Sequence, residues 1–112
     1  IGQIENINGI ENLDKMLSMN ILDGVMIGPY DLAGSMGYPG EVNHKDVILE
    51  CKKIINICDK HKVSVGTQVS DVSKASINQL FDMNYTYCIL GSDLFLMWQS
   101  AQNLKNLIKY FK

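Results

Sequence analysis

Four short apolar runs, each followed by apolar residues at helical spacing, divide the 112 residues of this chain. The first run is Ile1–Glu5. Ile10, Leu13, Met16 and Leu17 then recur as one face of a helix over Asn8–Met19. Val25-Met26-Ile27 is apolar throughout and closed by Gly28-Pro29, the pattern of a strand buried on both faces. A loop over 28–43, rich in Gly and Pro, leads to a helix from Lys45 to Lys62, striped by Val47, Ile48, Cys51, Ile54, Ile55 and Cys58. Val63–Val69 is the third strand, interrupted by Gly66, and Ser70 or Asp71 is placed to cap a helix over Val72–Met83. Thr86–Leu90 is the fourth strand, ended by Gly91, and Ser92 is placed to cap a last helix reaching Phe111. Alternating strands and helices predict a parallel sheet with right-handed crossovers. Such units build a doubly wound sheet or a (β/α)₈ barrel. A barrel takes about 250 residues, so four units amount to half of one.

Composition removes several function classes. At 46% hydrophobic and 20% charged residues, the chain has enough apolar material for a core and too little charge for disorder. No apolar run approaches the roughly 18 residues of a membrane span. All ten basic residues are Lys, against twelve acidic ones. A net charge of −2 without any Arg argues against a nucleic-acid partner and removes an arginine clamp for a substrate anion. Cys51, Cys58 and Cys88 form no CxxC pair and read as small buried residues in a reducing, cytoplasmic setting. Asn84-Tyr85-Thr86 fits a glycosylation pattern but has no secretion signal with it. The chain opens on Ile within a strand, which suggests a piece of something longer. No dinucleotide fingerprint or Walker motif follows the first strand.

In parallel α/β folds chemistry collects at the carboxyl ends of strands. Those ends are Glu5, then Gly28-Pro29-Tyr30-Asp31, then Thr67–Asp71, then Gly91-Ser92-Asp93. Gln3 and Glu5 alternate with Gly2 and Ile4, so Glu5 faces one defined side. Neighbouring parallel strands lie about 4.8 Å apart, close enough for Glu5 and Asp31 to reach one ion. Two carboxylates plus waters suit Mg²⁺ or Mn²⁺, with Co²⁺ a further candidate. Zn²⁺ fits less well, because no His or Cys stands at a strand end. Backbone N–H groups where Gly28–Asp31 enters a short helix around Leu32–Met36 would attract a small carboxylate.

Several of these segments carry a more specific likeness. Ile4-Glu5-Asn6 with Ile10-Glu11-Asn12-Leu13-Asp14, the block Asp23–Leu32 around Gly28-Pro29-Tyr30-Asp31-Leu32, Ser35–Gly40, His44–Val47 and Asn84–Asp93 resemble, in order, motifs of the HpcH/HpaI aldolase family. The resemblance implies a (β/α)₈ barrel of the phosphoenolpyruvate/pyruvate type, with this chain as strands five to eight, the C-terminal half of one domain. It implies a class II, metal-dependent aldolase that forms or cleaves 2-keto-4-hydroxy acids through a pyruvate enolate. Glu5 and Asp31 would ligate the metal. Gly28, Pro29, Tyr30, Asp31 and Gln68 would line the substrate, with the N–H groups of Tyr30 and Asp31 on the pyruvate carboxylate. The partners implied are pyruvate with an aldehyde, or the corresponding 2-keto-4-hydroxy acid.

The departures also matter. The family's catalytic His, its Asp partner and a substrate-orienting Arg belong to the half of the barrel absent here, so no catalytic base is assigned. His44 reads as a loop or capping residue and His61 as a dipole-satisfying residue in a last helical turn. Gln68 stands where members carry an apolar residue or His, which bears on substrate preference. Asn84 stands where Gly is usual and can adopt the left-handed turn. In the family the last helix packs on or exchanges with a neighbouring subunit, which makes Trp98, Leu104, Leu107 and Phe111 interface candidates in a homo-oligomer. Two alternatives remain: a non-catalytic binding module that keeps the metal and keto-acid half-site, and an acyl-CoA lyase of the citrate lyase β type.

Overall fold

A computed structural model describes residues 1–111 as four parallel strands and five helices. In chain order these are β1 (Gly2–Ile4), α1 (Ile7–Ser18), β2 (Gly24–Ile27), α2 (Pro29–Ser35), α3 (Lys45–His61), β3 (Ser64–Val69), α4 (Lys74–Asp82), β4 (Tyr87–Leu90) and α5 (Asp93–Lys109). The strands lie in the order β1-β2-β3-β4, every neighbouring pair parallel. The expected alternation is therefore present in full.

Side-chain alternation gives the sheet two unlike faces. Ile4, Val25, Ile27 and Val65 point one way and are buried. They meet Ile10, Leu13 and Leu17 of α1 and Val47, Cys51, Ile54, Ile55 and Cys58 of α3 in one core. Burial pushes the Cys58 thiol up to about 11, so it is an inert packing group. Cys88, expected to be buried with the other two, is only half-buried, because β4 is an edge strand. The opposite face is set by the register. Gln3, Met26, Gly66 and Tyr87 share one level across the four strands. One residue pair higher, Gln68 and Ile89 are register partners, and Glu5 and Gly28 continue β1 and β2 at the same height.

The caps differ in part from the sequence reading. Asn6 caps α1 by accepting from Gly9 N–H at 2.8 Å, and His44 caps α3, its Nδ1 accepting from Asp46 N–H at 3.3 Å. The cap of α4 is Ser73, not Ser70 or Asp71, and the helix begins at Lys74 instead of Val72. Asp71 instead accepts from the hydroxyls of Ser73 and Ser76 at 3.0 and 2.8 Å, in the loop that precedes the helix. Ser92 occupies the N-cap position of α5, but its side chain makes no cap bond; Asp93 accepts from Leu94 N–H instead. Asn84 takes the left-handed conformation expected of it, at φ 68°.

A polar clamp joins α1 to α3. Asp14 accepts from Lys60 and His61 at 2.9 Å each. The Lys60 ammonium, and after it His61, hold the Asp14 carboxyl below its ordinary value. A carboxyl lowered by folding stabilises the fold above its unfolded pKa and loses that contribution as pH falls through the folded one. Asp14→Asn should therefore lower the urea midpoint slightly at about pH 6 and by less as the pH falls below the ordinary carboxyl range. An equal difference across that pH range would contradict the clamp.

The last helix stands apart. No residue of α5 is buried, and Leu94, Met97, Trp98, Leu104, Tyr110 and Phe111 at or near it are all more than half exposed. The molecule extends 60 Å along its longest axis, with a radius of gyration of 16.4 Å. A compact chain of this length has about 13 Å.

Candidate active site

The site begins where β1 stops. The ladder ends at Ile4, so Glu5 lies just beyond it, and Gln3 two residues earlier shares its face. The Gln3 amide donates to Glu5 Oε2 at 2.7 Å, which fixes one carboxylate oxygen and leaves the other open. Gly28 N–H donates to Ile4 carbonyl at 3.1 Å and brings the end of β2 against this pair. A Cβ on Gly28 would sit 3.1 Å from Glu5 Cβ and 3.2 Å from both Glu5 Oε2 and Gln3 Nε2. Glycine at 28 is therefore what allows the contact.

The next residues turn at once into α2, earlier than the Leu32–Met36 turn expected from sequence. Pro29 occupies the first turn, where its missing N–H costs nothing, and Leu32 N–H closes on Gly28 carbonyl at 2.9 Å. Leu32 and Ala33 are fully buried and pin the short helix to the core. Gly28 has no side chain to cap it, so the first-turn N–H groups of Tyr30 and Asp31 have no side-chain acceptor at the cap. Asp31 is exposed in that first turn.

A cavity of about 120 Å³ lies on this face. It is lined by Gly28, Pro29, Tyr30, Asp31 and Gln68, together with Gln3, Ser70 and Phe95. Five of the six residues singled out from sequence thus share one cavity, and Glu5 joins it through Gln3. Gln3 and Ser70 went unassigned in the sequence. Gln3 could have been found from its shared parity with Glu5; Phe95 reaches the cavity from α5, and no local pattern announces it.

The donor set suits a hard divalent cation. Among the described residues neither Glu5 nor Asp31 has an ion-pair partner, and Glu5 accepts only the Gln3 bond. Two carboxylates without cationic partners, one just beyond β1 and one just beyond β2, suit an ion that takes few protein oxygens. No group of three or more His, Cys, Asp or Glu gathers among the described residues, so the other donors would come from substrate, water or further chain. Neither histidine serves the site. His44 stacks on Tyr38 with ring centroids 3.7 Å apart, and His61 is held by Asp14. A larger cavity of about 450 Å³ lies behind the same loop, toward α3 and α4. Cys51 and Tyr85, which line it, are buried side by side, and burial raises both groups.

A model of the HpcH/HpaI aldolase/citrate lyase family matches residues 1–100. The chain belongs to this family. It is 29% identical over 107 residues to a 5-keto-4-deoxy-D-glucarate aldolase of Escherichia coli K12, covering 96% of this chain and 41% of that protein. It is 30% identical over 102 residues to a hydroxypyruvate/pyruvate aldolase of Paraburkholderia phytofirmans, covering 91% of this chain and 38% of that one. Among solved structures, an HpcH/HpaI aldolase/citrate lyase family protein from Burkholderia cenocepacia superposes with a TM-score of 0.84 at 21% identity, over 96% of this chain and 41% of that one. The chain thus has the fold of four consecutive units of a TIM-barrel-like family member, and spans about two fifths of the length of the curated relatives it matches. No helix among the described residues is long and apolar enough to cross a membrane.

Proposed function

We propose that this family member supplies the metal and keto-acid half of a carbon–carbon lyase site, acting on 2-keto-4-hydroxy acids through a pyruvate enolate. The observation that carries the reading is the packing of Gly28 against the Gln3–Glu5 pair, with Asp31 in the first turn of the helix that follows and lining the adjoining cavity. Glu5 and Asp31 hold a divalent ion, Mg²⁺ or Mn²⁺, which when bound polarises the 2-keto oxygen and stabilises the enolate charge. Tyr30 and Asp31 N–H receive the pyruvate carboxylate. Gln3 holds Glu5 in one orientation, and Gln68 offers an amide to the bound acid from the next strand.

The proton acceptor lies outside this chain in our reading, because no imidazole reaches the cavity. The open edges of β1 and β4 are where four further β/α units pair. The far part of α5, with Leu104 and Leu107, and Phe111 just beyond it form a contact between subunits, and the free cysteines suit the cytoplasm. Sedimentation of the chain should give a mass above 12.6 kDa that returns to it in Leu104→Glu.

The deciding experiment is exchange of the pyruvate methyl protons for deuterium, followed by NMR with Mg²⁺, with Glu5→Ala as control. Metal and pyruvate binding without exchange, lost in the control, is the result expected of a half-site whose base lies elsewhere. Metal-dependent exchange that the control lacks would place a base within this chain, and absence of metal and pyruvate binding would overturn the half-site. The acyl-CoA reading is disfavoured, because no Lys lines the cavity to meet CoA phosphates.

A further inference from the structure

We infer that the apolar cavity at the start of α5 is the seat of the substrate's tail, and that the tail it takes is an uncharged aryl or alkyl group. This rests on the keto-acid reading of the neighbouring site. The cavity, about 570 Å³, is lined by Tyr30, Ser70, Asp71, Leu94, Phe95, Trp98 and Gln99. Tyr30, Ser70 and Phe95 also line the keto-acid cavity, so the two open cavities adjoin across these residues. A chain leaving the keto acid past these residues runs onto Leu94 and Trp98, which are 70% and 62% exposed.

Charge decides the tail's chemistry. No Lys or His lines the cavity, so this chain offers it nothing to neutralise a second carboxylate. Its one charged group, Asp71, is an anion already committed to Ser73 and Ser76. A carboxylate tail would lose water beside an acid and gain no cation. A phenyl or alkyl tail covers Tyr30, Leu94 and Trp98, large apolar surfaces otherwise left to solvent. Trp98 is thereby assigned to substrate instead of to the subunit contact expected from sequence.

Trp98 is the single tryptophan of the chain and reports the cavity directly. The test titrates Mn²⁺-loaded protein with pyruvate, 2-oxoadipate and 2-oxo-4-phenylbutanoate, by calorimetry and Trp98 emission. The phenyl acid should bind about tenfold tighter than 2-oxoadipate and shift the emission to the blue, while pyruvate binds without a shift. Trp98→Ala should reduce the ratio between phenyl acid and pyruvate severalfold. Leu94→Lys should turn the preference toward 2-oxoadipate; both positions are exposed, so neither change threatens the core. Pyruvate binding with equal affinities for the two longer acids overturns the tail site and leaves the keto-acid site standing. A Trp98 shift that follows protein concentration and not ligand also overturns it, in favour of a subunit contact. No binding of any of the three acids removes the keto-acid reading, and the tail site with it.

Discussion

Replacing Glu5 by Ala should weaken Mn²⁺ binding more than about 100-fold while leaving the unfolding transition in place. The two halves of this expectation have separate causes. Glu5 lies beyond the last ladder pair of β1, and its one hydrogen bond is to exposed Gln3, so the sheet does not depend on it. The ion depends on it heavily, because among the described residues no third acidic, His or Cys side chain stands ready to take its place. Gln3→Ala should give a smaller loss, about tenfold, since it removes only the donor that orients the carboxylate. Gly28→Ala is a third probe: its Cβ would press on both residues at 3.1 to 3.2 Å and move Glu5 without removing it. Calorimetric titration reads all three. Equal Mn²⁺ affinity in the Glu5→Ala and unaltered proteins would place the ion elsewhere.

How much of this could be read from residues alone depends on what each feature rests on. The strands and most of their ends were legible because buried parallel strands are continuous apolar runs, as in Val25-Met26-Ile27, and because Gly28-Pro29 and Gly91 punctuate them sharply. Glu5 and Asp31 were singled out together because strand ends converge in this class of fold, and the structure sets Glu5 against Gly28 and Asp31 in the lining of the adjoining cavity. Gln3 was missed, although alternation placed it on the right face, because its role is to hold another side chain and not to meet a ligand. The Ser73 cap was missed because Ser70, Asp71 and Ser73 are equally good caps locally, and only the packing of α4 chooses among them. Phe95 and Trp98 were legible only as apolar residues of a helix. That they turn toward Tyr30 depends on where α5 leaves the sheet, a tertiary fact with no local signal.

Gly66 tests the sheet face that carries the site. Sequence marks it only as an interruption in β3, yet a Cβ there would lie 2.4 to 2.5 Å from the ring of Tyr87. Tyr87 is its register partner on β4, and the ring crosses β3 so that its hydroxyl donates to Val25 carbonyl on β2 at 2.8 Å. One side chain thus straps three strands beneath the site, and glycine makes the crossing possible. Gly66→Ala must push the ring aside and break the strap, at a cost of about 1–3 kcal/mol for the misfit and about 1 kcal/mol for the hydrogen bond. In a Tyr87→Ala background the same substitution meets no ring, and should be neutral or slightly favourable because glycine is a poor strand residue. The double-mutant cycle in urea should therefore show a coupling of about 2 kcal/mol or more. Additive effects would mean that the ring moves freely, and that β2 is held in place by its ladders and the Leu32–Ala33 anchor alone. In that case the strap has no part in holding Gly28 against Glu5.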